Sequence, residues 1–142
     1  MRFYQSIGLD AEGYDPEPRF GFNNQPARQF DLVTLVFVVN VLPSAQDRLD
    51  AVVGASRFVR PDGLLLIAAR SESAITAEAK RGNWPRHNDG WISSTSKGTF
   101  QKGVGPAELG WLLGGAGLSI VECGLHLSRD VSWIVGAKRA AR

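Results

Sequence analysis

"FDLVTLVFVV", residues 30–39, is a near-continuous apolar run of Val, Leu and Phe. A strand with one wet face alternates polar and apolar residues, whereas an unbroken run fits a strand buried on both faces, as parallel strands are. Pro43 stops that strand. Ser44, with Asp47 three residues on, forms a capping-box pattern that opens a helix over 44–59. Leu49, Val52, Val53 and Val59 recur at helical spacing as its apolar face, with Asp47, Asp50 and Arg57 largely opposite. "RPDG" (60–63) ends the helix, because Pro61 cannot continue it and Asp62-Gly63 supply turn chemistry. "LLLIAA" (64–69) is then a second buried strand. Strand, helix and strand in about 40 residues make a βαβ unit, whose two strands are expected to be parallel neighbours.

The rest of the chain is read outward from that unit. "SESAITAEAKRG" (71–82) predicts a short helix ended by Gly82. Residues 83–103 show no sustained period and are read as an irregular but ordered loop. "GPAELGWLLGGAG" (105–117) predicts a helix that starts at Pro106, a favoured first position, and buries Leu109, Leu112 and Leu113. "LSIVECGLHL" and "VSWIVGAKR" predict an antiparallel hairpin, 118–127/130–137, turning at Ser128–Asp130. Upstream, "EGYDPEP" (12–18) reads as the end of a short strand whose Asp15 carboxylate faces a ligand. The fold class is α/β: one domain over 1–142, a layered sheet with a parallel core and a C-terminal antiparallel hairpin. Ligands in such sheets bind outside the carboxyl ends of the parallel strands. Here those ends are Asp15, Val39–Leu42 and Arg70–Ser71, with 83–103 expected to lie over the cleft.

Composition agrees with one ordinary globular domain. The chain has 142 residues, 44% hydrophobic and 21% charged, enough to bury about two-thirds of its unfolded surface. Cys123 is the single cysteine, which excludes an internal disulfide framework and fits a reducing compartment. It is expected to be inert core. "MRFYQSIGLD" lacks the apolar stretch of a signal peptide, and "LVTLVFVV" is too short to span a bilayer. A cytoplasmic location without membrane contact is expected. His87 and His126 have no second ligand at useful spacing, so no metal is expected; His126 is read as a sheet residue. The net charge of +2 is uneven. In residues 80–102, Lys80, Arg81, Arg86, Lys97 and Lys102 face only Asp89, with Trp84, Trp91 and Phe100 interleaved. Such a stretch suits an anionic partner such as nucleic acid, and equally a solvated basic loop with anchoring aromatics.

"GYDP", then "FDLVTLVFVVNVLPS", then "RFVRPDGLLLIAARS", together resemble the second, fourth and fifth strand segments of class I S-adenosylmethionine-dependent methyltransferases. "PDG" stands where that superfamily usually has Pro-Gly-Gly. More narrowly, "NVLPSAQDR" and "DGWISSTSKGTFQKGVGPAELGWLL" resemble a methyltransferase family associated with DNA phosphorothioation islands. The superfamily resemblance spans roughly residues 8–137. It implies a Rossmann-like sheet, S-adenosylmethionine as cofactor, and Asp15 as acceptor of hydrogen bonds from the cofactor's ribose hydroxyls. An ionised carboxylate is the side chain that can accept from two vicinal donors. Taken alone, Asp15-Pro16 also fits an ordinary turn. Asn40, at the end of the fourth-strand segment, is the second cofactor candidate, its alternative being a plain strand terminator. Asp89, Gln101, Lys97 and Lys102 are candidates for acceptor recognition, and no catalytic base is identifiable.

The chain also departs from the family. Class I methyltransferases begin with a strand and a Gly-x-Gly-x-Gly loop, whereas before Asp15 there are only Gly8 and Gly13. The fold is therefore expected to be N-terminally incomplete, with "RFYQSIGL" as the tail of the helix that follows that loop. Three readings result. The first is a methyltransferase, or its C-terminal part, partnered by a complementing N-terminal segment or by self-association. The second is a non-catalytic module of the same fold that binds nucleic acid or a partner protein. The third is another small α/β nucleotide-binding domain.

Overall fold

The computed structural model describes residues 2–124 and 128–140. Helix α1 (Arg2–Ser6) leads through an irregular segment to strand β1 (Phe30–Val36). Helix α2 (Ala45–Ser56) crosses over to β2 (Val59–Arg70), which runs parallel to β1 with Leu32 opposite Leu64 and Val36 opposite Ala68. Helix α3 (Glu72–Arg81) follows, then β3 (Arg86–His87), β4 (Gly90–Ser94), β5 (Thr99–Gln101) and α4 (Pro106–Gly115). Strands β6 (Ser119–Gly124) and β7 (Val131–Ala137) finish the chain as an antiparallel pair. The main sheet has the order β1-β2-β7-β6, with β7 antiparallel to β2. The α/β layering, the parallel pair and the terminal hairpin beside it are thus as the sequence predicts. His126 and its neighbours at 125–127 lie outside the described residues.

Local chemistry explains the helix limits. The Ser44 hydroxyl accepts the Asp47 N–H at 3.0 Å and caps α2, worth about 1 kcal/mol. Ser71 caps α3 through the Ala74 N–H, and Pro106 opens α4. α2 and α4 pack on each other and on one face of the sheet. Their Val52, Leu109, Leu112 and Leu113 meet Leu65, Ile67 and Ile134 in a core from which water is excluded. Burying each such side chain contributes about 1.5–3 kcal/mol. Leu113 lies so close to Gly136 that a Cβ there would sit 2.5 Å from a Leu113 methyl, so glycine is needed at that contact.

Six expectations are corrected. The helix read over 44–59 ends at Ser56, and Val59 begins β2 instead of completing the helical face. β1 is not buried on both faces, since none of its seven residues is fully buried. No strand ends at Asp15: its carboxylate accepts the Glu17 N–H at 2.8 Å, an Asx turn, which is the local competition that Asp offers to extended pairing. "RPDG" does not precede β2 but lies inside it as a bulge, with Asp62 at φ 63° and the β1 ladder stepping from Val59 to Leu64. Pro61 is tolerated there because the bulge makes no ladder bond with β1. Residues 83–103 are not irregular but contain an antiparallel meander, β3-β4-β5. Its strands are two, five and three residues long, too short to print a period. Cys123 is exposed on β6, not in the core.

The sheet is unequally covered. Leu32 and Val36 of β1 are 53% and 45% exposed, and Leu64 beside them 37%. Among the described residues β1 has no partner on its outer edge. The N-terminal segment does not fill that edge. Arg28 pairs with Asp10 and Glu12, each at 2.8 Å, and its guanidinium lies 4.6 Å from the Phe30 ring centre. Tyr14 packs edge-on against Phe58 at 5.8 Å. Both contacts are at the amino ends of β1 and β2.

The Arg28 contact makes the anchoring of 10–15 pH-dependent. Hydrogen bonding to Arg28, then its charge, holds the Asp10 carboxyl below its ordinary 3.8. A depressed carboxyl pKa contributes attachment that is complete above the ordinary value and fades as pH falls through the depressed one. Backbone amides of 10–15 should therefore lose protection on acidification from about pH 4 downward, while the β2 amides keep theirs. Asp10→Asn should remove that step in a hydrogen-exchange titration; an unchanged titration would show that Arg28 is not the anchor.

Candidate functional site

The carboxyl ends of β1 and β2 lie side by side, and the chain leaves β1 abruptly. Phe37 adopts φ 59° while its N–H still donates to the Ala68 carbonyl at 2.8 Å. A bulky residue with positive φ is strained by about 1–3 kcal/mol, and such strain concentrates at functional sites. The Phe37 ring is half-exposed beyond the strand end. A single 3₁₀ turn, Val39–Val41, then carries Asn40 inward to 2% exposure.

Asn40 ties the meander to the sheet. Its Nδ2 donates to Gln101 Oε1 at 3.0 Å, and its carbonyl accepts the Lys102 N–H at 2.8 Å. Its Oδ1 is buried without a hydrogen-bond partner among the described residues. Val104 N–H donates to the Arg70 carbonyl at 2.9 Å, fixing the same segment to the end of β2. Gly103 passes so close to Ser71 and Glu72 that a Cβ would fall 2.3 Å from the Glu72 Cα. β5 and its exit are therefore laid across both strand ends.

An ionic chain holds the meander from the other side. Arg48, on the inner stripe of α2, is 1% exposed. Both its terminal nitrogens face the Asp89 carboxylate, and Nη1 also donates to the Leu42 carbonyl at 2.8 Å. Its Nε lies 3.3 Å from Glu108 Oε1, near enough to pair as charges but off the hydrogen-bonding direction. Glu108 in turn receives the Lys102 ammonium, which also donates to the Gly103 carbonyl. Two cations and two carboxylates balance.

Between α3 and the meander opens a cleft of about 230 Å³, lined by Glu72, Thr76, Asp89, Trp91, Lys102 and Gly103. A neighbouring hollow of about 240 Å³ is lined by Val41, Pro43, Phe100 and Gln101 among others. Of the sequence-predicted residues, Asp89 and Lys102 reach the first space, Gln101 the second, and Asn40 lies behind them. Lys97 sits in the β4–β5 turn and lines neither. Asp15 is not brought to Asn40: its neighbour Tyr14 is held on Phe58, at the opposite end of β1. Seven strand residues span roughly 20 Å. The described residues contain no cluster of metal-ligating side chains.

Sequence reading missed Arg48, Glu108, Glu72 and Phe37. Arg48 carried a usable signal. It precedes Val52 by four residues, so an arginine stands on the inward stripe, where it requires a paired carboxylate. Phe37 carried none, since its conformation is set by the turn it must enter.

Removing Arg48 would leave Asp89 and Glu108 without the buried cation that both of them face. Arg48→Ala should cost about 3–5 kcal/mol in thermal or denaturant unfolding. Arg48→Met, which keeps volume but not charge, should loosen the meander similarly, seen as faster amide exchange over 86–101 with β2 unaffected. Unchanged exchange in both variants would show that Arg48 does not hold the meander.

No protein-family model and no curated protein matches the sequence. Solved structures do match the fold. An S-adenosylmethionine-dependent methyltransferase from Methanosarcina mazei aligns with a TM-score of 0.58 at 12% identity, over 82% of this chain and 64% of its own. One from Clostridium acetobutylicum aligns with a TM-score of 0.63 at 11% identity, over 98% of this chain and 69% of its own. The magnesium protoporphyrin IX methyltransferase of Synechocystis, solved with S-adenosylhomocysteine bound, aligns at 0.54 and 15%, over 80% of this chain and 47% of its own. The chain thus spans between about half and two-thirds of these three proteins, and what it shares with them is the Rossmann-like α/β fold.

Proposed function

We propose that this chain is the acceptor-side portion of a class I S-adenosylmethionine-dependent methyltransferase. The observation that carries this reading is the coincidence, at one end of the sheet, of the strained Phe37 exit, the buried Asn40 and the cleft beneath the meander. That is where an open α/β sheet binds its ligand. When bound, the cofactor supplies an electrophilic methyl group on a sulfonium. The chain's own residues orient an acceptor and exclude water around it, an effect of positioning worth several kcal/mol of barrier.

The described residues fit one side of the cofactor and not the other. Asn40 offers a buried, unpartnered Oδ1 close behind the strand ends. Asp15, expected to take the ribose, is at the far end of β1 and occupied by the Glu17 N–H. Asp89, which shares Arg48 with the Leu42 carbonyl beyond the β1 exit, is already taken by that guanidinium. In this reading the ribose acceptor comes from additional backbone, in the same or another polypeptide, paired with the outer edge of β1. The exposed Leu32 and Val36 on that strand support the same requirement, since a strand paired in parallel is normally covered on both faces. The rival reading, a non-catalytic module of this fold, rests on the same open edge taken as a partner-binding surface. Neutralisation of Lys102 by Glu108 weakens its nucleic-acid form.

A calorimetric titration of the 142-residue protein with S-adenosylmethionine should show no saturable binding in the micromolar range. Asp15→Ala should leave that result unchanged. Sedimentation should show concentration-dependent association through the open edge, an expected hazard of a long apolar edge strand. A monodisperse monomer that binds the cofactor at micromolar concentration would contradict the need for completion, and binding that Asp15→Ala weakens would restore Asp15 to the site.

A further inference from the structure

Of the charged groups that line the cleft between α3 and the meander, one carboxylate is left without a partner among the described residues. Asp89 is neutralised by Arg48, and Lys102 by Glu108. Glu72, the remaining charged group of the lining, has no ion pair or side-chain hydrogen bond among the described residues. Thr76 stands one helical turn further along α3, so its hydroxyl and the Glu72 carboxylate share one face. Its hydroxyl likewise has no hydrogen bond among the described residues. Across the cleft is the indole of Trp91, whose plane is fixed by the Arg86 guanidinium 4.5 Å from its centre. Arg86 is not itself among the lining residues.

We infer that this cleft is a binding site for an organic amine in its ammonium form, carried on a flat apolar body. The ammonium would lie between the Glu72 carboxylate and the Thr76 hydroxyl, two acceptors suited to its several N–H donors. The flat body would lie along the Trp91 indole on the face that Arg86 leaves free. A space of about 230 Å³ admits a single-ring molecule of this kind. This assignment deepens the transferase reading, because it names an amine as the acceptor class. It reverses the expectation, raised by Lys97 and Lys102, that the acceptor is anionic. Those lysines do not set the sign: Lys102 is paired and Lys97 is elsewhere.

The test needs no cofactor, so it can fail or succeed separately from the transferase reading. The 142-residue protein is titrated with 2-phenylethylamine, 2-phenylethanol and phenylacetate, which differ mainly in charge. Binding is followed by the NMR shifts of the Trp91 side chain and the Glu72 and Thr76 amides. The amine should bind about tenfold tighter than the alcohol, as one partly exposed charge-assisted contact supplies, and phenylacetate weakest. Glu72→Gln, an isosteric change on an exposed first turn, should erase the difference between amine and alcohol. Glu72→Lys should move the preference to phenylacetate. Equal binding of amine and alcohol, tightest binding of phenylacetate, no binding of any probe, or an amine preference that survives Glu72→Gln would each overturn the assignment. Amine selectivity in a protein that never binds S-adenosylmethionine, even when completed, would keep the site and remove the transferase.

Discussion

The parallel pairing of β1 with β2 is the constraint on which the rest of this structure depends. Two parallel neighbours cannot be joined by a tight turn, so α2 must cross between them. Once it does, both strands leave the sheet at the same end. Asn40 and Ser71, more than 30 residues apart in sequence, then flank one opening. The β5 segment needs only two backbone contacts, to Asn40 and to Arg70, to bridge that opening. The position of the candidate site is thus a consequence of strand direction before any side chain is considered.

The same pairing sets what the fold requires and what it leaves open. α2 and α4 cover one face, and the apolar core beneath them is dry. The outer edge of β1 and the face bearing Leu32 and Val36 are not covered among the described residues. Leu32 and Val36 thus leave an apolar surface open on a strand of a parallel pair. The N-terminal segment is fastened elsewhere, through Arg28 and Tyr14 at the amino ends. Asp15 follows directly on Tyr14, which is held at the end of β1 opposite the cleft.

How far the sequence could be read follows from the length scale of each signal. The unbroken run at 30–39 and the capped helix after it each spread one pattern over seven or more residues, and each gave an element of the expected type with shorter bounds, Phe30–Val36 and Ala45–Ser56. The meander is a sequence of turns, and its Asn88, Gly98 and neighbouring glycines hide strands of only a few residues. The site was legible in part for the same reason. Asn40 follows directly from where β1 ends, so strand reading reached it. The balance of Arg48, Asp89, Glu108 and Lys102 is a contact among α2, the meander and α4, which no local window contains. Asp15 was misplaced because its pattern, apolar-Asp-Pro, is shared by strand ends and Asx turns, and here the turn won.

Amide hydrogen exchange resolved along β1 reads whether its outer edge is open. In dilute monomeric protein, β2, paired on both sides, should be protected along the stretch from Leu64 to Ala69. β1 should alternate, with amides aimed at β2 protected and those aimed outward exchanging fast. Uniform strong protection of β1 in the dilute monomer would contradict the account, because it would mean that the edge is already paired.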